Sequence, residues 1–96
     1  MSLLDRFRRP KEDPELARRA RLLRTGRITD GTILDIGNND AGEVTHVFYR
    51  YHVSGVEYES SQSLDAEQLQ RLIDYFPGAA VTVRYDPHQP GNSVVV

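Results

Sequence analysis

The histidines are the first side chains to consider for metal chemistry, because imidazole is the commonest metal ligand in proteins. The sequence has three, His46, His52 and His88. His46 and His52 share one face of a predicted strand but lie six residues apart, roughly 20 Å along a strand, which is too far to share one ion. His88 lies in a predicted turn. We interpret all three as surface histidines paired with acidic residues, and we expect no metal and no other cofactor.

Nucleophilic catalysis has equally little support. The chain has no cysteine, and no histidine stands at a spacing that would orient a base towards the serines at positions 60, 61 and 63. Asp86 precedes Pro87, with Pro90 close behind. An aspartate in this setting usually accepts backbone hydrogen bonds and sets the geometry of a turn. We interpret Asp86, Pro87 and Pro90 as a structural turn and expect that the protein is not an enzyme.

Charge divides the chain into a basic arm and an acidic body. Residues 1–27 carry nine basic and four acidic side chains, a net charge of +5, whereas residues 28–96 carry three and ten, a net charge of −7. Such asymmetry is typical of an interaction tail or of an arm that folds back on its own body. The candidate interaction residues are four arginines of the arm and two neighbours on the second strand, namely Arg18, Arg19, Arg21, Arg24, Phe48 and Arg50.

A short amphipathic helix is predicted over residues 14–24. Asp13 is a suitable N-cap, Pro14 suits the first helical position, and Gly26 is a natural end. An apolar stripe follows at helical spacing; it consists of Leu16, Ala20 and Leu23.

We expect this stripe to dock on the barrel or on a neighbouring subunit. The arginines would then lie near acidic residues such as Glu57, Glu59 or those around residues 64–76. The first ten residues are expected to stay mobile, because they cannot bury enough surface to offset the entropy of ordering.

The clearest β-structure is a hairpin whose first strand spans residues 45–53. Ser54 and Gly55 form a two-residue turn, which fixes the register of the strand that follows. The expected opposite pairs are Val53 with Val56, His52 with Glu57, Tyr51 with Tyr58, and Arg50 with Glu59. Tyr49, Tyr51 and Tyr58 then face inward, and the charged residues face outward.

The other elements complete a mainly β chain. We predict a strand over residues 27–36, with Gly31 at a bulge or close approach, a helix over residues 64–76, a strand over 81–85, a turn over 86–92 and a last strand over 93–96. The helix would present the stripe Leu64, Leu69, Leu72, Ile73 and Phe76. The predicted fold is a five-stranded antiparallel barrel, OB-like or SH3-like, with one helix between strands 3 and 4. Residues 1–26 form the arm and residues 27–96 the barrel.

A family resemblance covers about residues 26–96. The stretch from Val81 to Pro90 reads Val-x-Val-x-Tyr-Asp-Pro-x-x-Pro, preceded by a tyrosine-rich hairpin at residues 49–58 and by Pro77-Gly78. This pattern resembles an uncharacterised bacterial family of domains of unknown function. The resemblance implies a small β-domain, often found beside transmembrane helices, with no known activity or cofactor.

The expected function is therefore non-enzymatic. We expect a protein-interaction or assembly module whose partner is another protein or a second copy of the chain. The alternative is a nucleic-acid or membrane-surface adaptor acting through the basic arm. Nucleic acid is disfavoured because the body is acidic and phosphate affinity needs a basic surface. No stretch approaches the roughly 18 apolar residues of a membrane span, so we expect a cytoplasmic location, with peripheral membrane contact through the arm as the alternative.

Overall fold

The computed structural model describes residues 13–96, which form one helix followed by a five-stranded β-domain. The predicted mobility of the first ten residues lies outside the described residues. The elements are α1 (Pro14–Thr25), β1 (Arg27–Asn38), β2 (Val44–Val53), β3 (Val56–Ser63), α2 (Ala66–Leu69), a 3₁₀ turn (Leu72–Tyr75), β4 (Ala80–Asp86) and β5 (Gln89–Val95).

The five strands form a nearly closed antiparallel barrel. Their order in the sheet is β3-β2-β1-β4-β5, and each neighbouring pair runs antiparallel. This arrangement confirms the predicted fold class, with a helix before the barrel and a short helix between the third and fourth strands. β3 and β5 are the two ends of this order, and because each pairing reverses direction, they run parallel to each other.

The β2–β3 hairpin has the predicted register. Tyr51 lies opposite Tyr58, and Val53 lies opposite Val56. Ser54 and Gly55 both have positive φ angles, 51° and 80°, as the two central residues of a type I′ turn require. The register holds because it places tyrosines on the inner face, whereas a one-residue slip would expose them.

Three tyrosines form a stacked row along the inner face of this hairpin. The ring centroids of Tyr49 and Tyr51 are 5.8 Å apart, and those of Tyr51 and Tyr58 are 5.5 Å apart. The row spans the barrel interior, because the Tyr49 hydroxyl shares a 2.6 Å hydrogen bond with Ser93 Oγ and the Tyr51 hydroxyl donates to the Pro90 carbonyl at 2.6 Å. The tyrosines thus pack as apolar rings and also tie β2 to β5 through their polar ends.

The gap between β3 and β5 is closed by a side chain. Gln62 on β3 is 5% exposed, and its amide pairs with the backbone of Val95 on β5. Its Oε1 accepts from the Val95 amide nitrogen at 2.8 Å, and its Nε2 donates to the Val95 carbonyl at 3.3 Å. Gln68 in α2 also donates to that carbonyl, at 2.9 Å. These side-chain amides satisfy backbone groups that strand pairing leaves unpaired at this position.

The single helix predicted over residues 64–76 is wrong. The segment forms one turn of α-helix, Ala66–Leu69, and a separate 3₁₀ turn, Leu72–Tyr75. The buried residues are Leu64, Gln68 and Tyr75, whereas Ile73 is 80% exposed. The chain breaks into two pieces because Gln68 and Tyr75 both point inward to the end of β5, where the Tyr75 hydroxyl donates to the Val96 carbonyl at 3.5 Å. That arrangement does not follow the predicted apolar stripe.

The last hairpin is tighter than predicted. β5 begins at Gln89, which pairs with Asp86, so the turn is two residues long instead of extending over residues 86–92. Pro90 lies inside the strand, at a position where its carbonyl receives the Tyr51 hydroxyl.

Gly31 is a point of close approach, as predicted. A Cβ there would lie 2.7 Å from Val83 Cγ2. The register shifts in β1 fall elsewhere, between Ile33 and Asp35 and between Gly37 and Asn38.

Tyr51→Ala is expected to destabilise the fold by about 3–5 kcal/mol, as for other large aromatic truncations in a core. Tyr51 is 1% exposed, and it loses both ring contacts and the bond to Pro90. Tyr51→Phe, which removes only that bond, should cost about 1 kcal/mol. Urea unfolding measures both. Phe48→Ala, on the outer face of the same strand, is the control; a similar loss there would contradict the assignment of faces.

Gln62→Met keeps the side-chain shape but leaves the Val95 amide nitrogen without its partner, so it should cost about 1–3 kcal/mol. Ser61→Ala, an exposed change on the same strand, should stay within about 0.5 kcal/mol. Hydrogen exchange of the Val95 amide should also accelerate in Gln62→Met. Unchanged stability and unchanged exchange would show that the amide pair does not hold the two strands together.

Candidate binding groove

One carboxylate orients the two arginines that fasten α1 to the barrel. Glu15 Oε1 and Oε2 accept from Nε and Nη2 of Arg18 at 2.7 and 2.9 Å, and Glu15 Oε2 accepts from Arg19 Nε at 2.7 Å. The three residues lie at i, i+3 and i+4 spacing on one helix face. Paired in this way, both guanidinium groups still have donors free for the barrel.

Those donors reach opposite sides of the gap in the sheet. Arg18 Nη1 donates to Asn92 Oδ1 at 2.8 Å and to the Ser93 carbonyl at 2.7 Å, both on β5. Arg19 Nη2 donates to the Ser63 carbonyl at 2.7 Å and to its Oγ at 3.1 Å, at the end of β3. The helix therefore connects the two end strands, β5 and β3, through the side chains of Arg18 and Arg19.

The ionisation of Glu15 reflects this arrangement. The hydrogen bond from Arg18, together with that from Arg19 and the charges of both groups, lowers the pKa of Glu15 from its ordinary 4.5 to about 2, against a smaller opposing effect of burial. The same hydrogen bond, which Arg18 donates to the carboxylate, raises the pKa of Arg18. Both shifts favour the charged forms, as expected for a structural ion pair.

The docking of α1 is as predicted, but the face that docks is not. Leu22 is 4% exposed and Arg19 is 9% exposed, whereas Leu16 and Leu23 are 61% and 46% exposed. The helix is turned by about one residue, roughly 100°, from the predicted orientation. The arginine pair decides this orientation, because its donors must reach Ser63 and Ser93. The sequence predicts that the arginines of the helix lie near Glu57, Glu59 or the acids around residues 64–76. Arg18 and Arg19 both bind Glu15, and Arg19 also lines a cavity with Asp65 and Glu67.

The rotation leaves the predicted apolar stripe as one wall of a groove. We call this the α1 groove, a cavity of about 320 Å³ between α1, α2 and the end of β5. Its volume is near the lower limit of the roughly 300–1,000 Å³ typical of ligand sites. The residues that line it are Leu16, Arg19, Ala20, Leu23, Asp65, Glu67, Gln68, Arg71, Val94, Val95 and Val96.

The charged residues of the groove leave an acidic excess around it. Arg19 is bound to Glu15, and Arg71 lies 3.7 Å from Glu67 and 3.4 Å from Asp74. Asp65 adds a further carboxylate, which caps α2 by accepting from the Gln68 amide nitrogen at 2.8 Å. Because Arg18 also binds Glu15, three arginines face four acidic residues at the groove and its rim, and the excess lies on the side of α2, where Arg71 faces Asp65, Glu67 and Asp74.

A second cavity, of about 310 Å³, lies on the other side of α1 beside the β4–β5 turn. Arg21, Asp86, Pro87 and His88 are among its lining residues. Asp86 Oδ1 accepts from the His88 amide nitrogen at 2.8 Å, so its carboxylate sets the turn. Pro87 completes the turn, and Pro90 lies in β5.

The other candidate interaction residues lie apart from the α1 groove. Arg24 is exposed near the end of α1. Phe48 is 43% exposed on the outer face of β2, where a Cβ at Gly37 would lie 3.4 Å from its ring. Arg50 is exposed opposite Glu59. The structure therefore separates the six residues into two barrel anchors, Arg18 and Arg19, and four exposed side chains on different surfaces.

The histidines also lie apart from the α1 groove. His52 Nε2 lies 3.5 Å from Glu57, and His46 Nδ1 shares a 2.8 Å hydrogen bond with the Thr45 hydroxyl. Within residues 13–96, no group of three His, Cys, Asp or Glu side chains is arranged to hold a metal ion.

Sequence reasoning missed three residues that position the groove: Glu15, Gln62 and Leu22. Glu15 has a sequence signal, because it stands three and four residues before Arg18 and Arg19. Gln62 continues the inward alternation that begins at Tyr58, so its burial follows from the strand period. Leu22 had no such signal, because it lies outside the stripe at residues 16, 20 and 23.

The comparisons with known proteins show the family. A family model described as a domain of unknown function (DUF3592) matches residues 24–96, so the chain belongs to that family. No curated protein and no solved structure matches the chain. Of the helices in residues 13–96, none has the length and apolar character needed to cross a membrane.

Glu15→Gln is expected to destabilise the protein by about 1 kcal/mol at pH 7, a value kept small because the carboxylate is partly exposed to solvent. Since folding depresses the pKa of Glu15 from 4.5 to about 2, its contribution is complete above pH 4.5 and lost as pH falls towards 2. The stability difference between wild type and variant should shrink over that window in urea titrations. Glu67→Gln, at a more exposed pair, is the control; a pH-independent difference for Glu15→Gln would contradict the ion-pair account.

Proposed function

We propose that this member of the DUF3592 family is a non-enzymatic protein-interaction or assembly module that binds an apolar, basic polypeptide segment in the α1 groove. The observation that carries the proposal is the uncovered stripe at Leu16, Ala20 and Leu23. A leucine stripe on a short helix ordinarily packs against its own domain. Here the bonds of Arg18 and Arg19 to the barrel orient the helix so that the stripe faces the α1 groove.

The shape and charge of the groove support a partner of this chemistry. Leucine and valine side chains supply the walls, and the acidic excess around Asp65 and Glu67 favours cationic groups at the rim. Amphipathic segments that lay an apolar face into a groove are a recurring mode of peptide recognition. Charge at the rim would set orientation and the rate of association more than affinity.

A non-enzymatic role is supported by what the candidate catalytic groups do. Asp86 is held by the turn that it forms, and the shifted pKa of Glu15 arises in an ion pair that anchors a helix. Perturbed ionisation is a signal of function only where the group can reach a substrate, and neither group lines the α1 groove.

The setting of the domain is part of the same proposal. The resemblance of the Val-x-Val-x-Tyr-Asp-Pro-x-x-Pro stretch supports a bacterial domain of the kind found beside transmembrane helices. We place it in the cytoplasm. Contact with a membrane surface is the second candidate function, favoured by the exposure of Leu16 and Leu23 beside Arg21 and Arg24 on one helix, a composition that suits anionic lipid.

A photo-crosslinking residue at position 23 tests the proposal in the native cells. The expected result is a specific adduct whose crosslinked peptide, from the same or another chain, is apolar and basic. The adduct should be lost when Leu16→Arg is added, because that change fills the groove with charge. The same residue at position 56, an exposed apolar site at the start of β3, is the matched control.

Two results would overturn the proposal. Equal adducts from positions 23 and 56 would show non-specific contact, and adducts only to lipid would favour the membrane-surface function.

A further inference from the structure

We propose that the segment occupying the α1 groove is the chain's own N-terminal stretch, residues 3–9. This inference rests on the proposed function, because it uses the same groove and names the polypeptide that it accepts. It assigns residues 3–9 the role of an internal ligand that an external partner must displace.

The sequence of residues 1–12 has the chemistry that the groove requires. Leu3, Leu4 and Phe7 are its large apolar residues. Arg6, Arg8 and Arg9 outnumber the single acid, Asp5, so residues 3–9 carry a net charge of +2. The groove presents leucine and valine walls with an acidic excess at the rim, which complements the segment in both properties.

The connection is short enough to make this contact within one chain. The described residues begin at Asp13, immediately before α1. Leu23 lies about 15 Å along the helix from that point, at 1.5 Å per residue. Phe7 is six residues from Asp13, and an extended chain of that length reaches about 20 Å. Phe7 can therefore reach any position along the wall from Leu16 to Leu23 if the chain reverses direction.

The sequence favours a reversal between the segment and the helix. Pro10 and Pro14 flank Lys11, Glu12 and Asp13. Proline disfavours continuation of a helix through the residue before it, and Pro14 also occupies the first turn of α1. The spacing of the two prolines permits a short connection between two antiparallel segments.

Docking within the chain also reduces the entropic cost of binding. A segment tethered a few residues from its site has a high effective concentration there, which a separate molecule lacks. By itself, the N-terminal segment cannot bury enough apolar surface to offset the entropy of ordering. The α1 groove supplies that additional surface.

A single tryptophan at position 7 tests the inference in the full chain. The natural sequence has no tryptophan, so Phe7→Trp gives one emission signal. The expected result is a blue-shifted emission maximum and several-fold weaker quenching by acrylamide than for the doubly substituted chain Phe7→Trp, Leu23→Arg. Phe7→Trp, Val56→Arg is the control, because Val56 is exposed outside the groove; it should keep the blue shift. Thermal melts verify that Leu23→Arg, at an already exposed position, leaves the fold intact.

Each other outcome contradicts the inference. Solvent-like emission in all three chains would show that the segment does not dock. A blue shift that disappears on dilution would assign the occupant to a second copy, and one that appears only with phosphatidylglycerol vesicles would assign the segment to lipid. If the segment stays exposed while position 23 still crosslinks to an apolar, basic peptide of another chain, the proposed function stands and only the internal occupant is wrong.

Discussion

The fold depends on how a five-stranded sheet closes when its two end strands run parallel and do not pair directly. An unpaired strand edge leaves backbone donors and acceptors without partners, and a small barrel must satisfy or cover them. Here the side-chain amide of Gln62 supplies both a donor and an acceptor to Val95, and Gln68 adds a second donor. Every buried side-chain nitrogen and oxygen in residues 13–96 has a hydrogen-bond partner. A few polar side chains thus complete the barrel.

The N-terminal helix follows from the same constraint. Arg18 and Arg19 bind carbonyl groups of Ser93 and Ser63, on the two sides of the gap. Hydrogen bonds from charged donors are stronger than neutral ones, and burying such donors without partners is costly. The arginines therefore fix the rotation of the helix, and Glu15 holds them in place. The rotation of the helix therefore also sets the environment of Leu16 and Leu23.

The α1 groove is in this sense a by-product of barrel closure, and in the function proposed above it serves recognition. The floor of the groove is held on both sides, because Val94 and Val95 lie in β5, which pairs with β4 and is bonded at Val95 by the side chains of Gln62 and Gln68. Its walls combine one helix of the arm with the connection between β3 and β4, so residues far apart in the chain meet there. A family match that begins at residue 24 covers the floor and one rim but leaves most of α1 outside.

The sequence by itself determined the hairpin, the number of strands and the position of the connecting helix. Alternation along residues 45–59 and a two-residue turn both specify one register, because side-chain period and turn geometry are local properties. The tertiary structure decided which face of α1 docks, how residues 64–76 break into two turns, and how the barrel closes. Helical spacing marks an apolar stripe but carries no information about carbonyl groups more than 40 residues away, such as those of Ser63 and Ser93. Polar contacts over that distance form only once the strands that carry them are in place, and they overrode the local pattern.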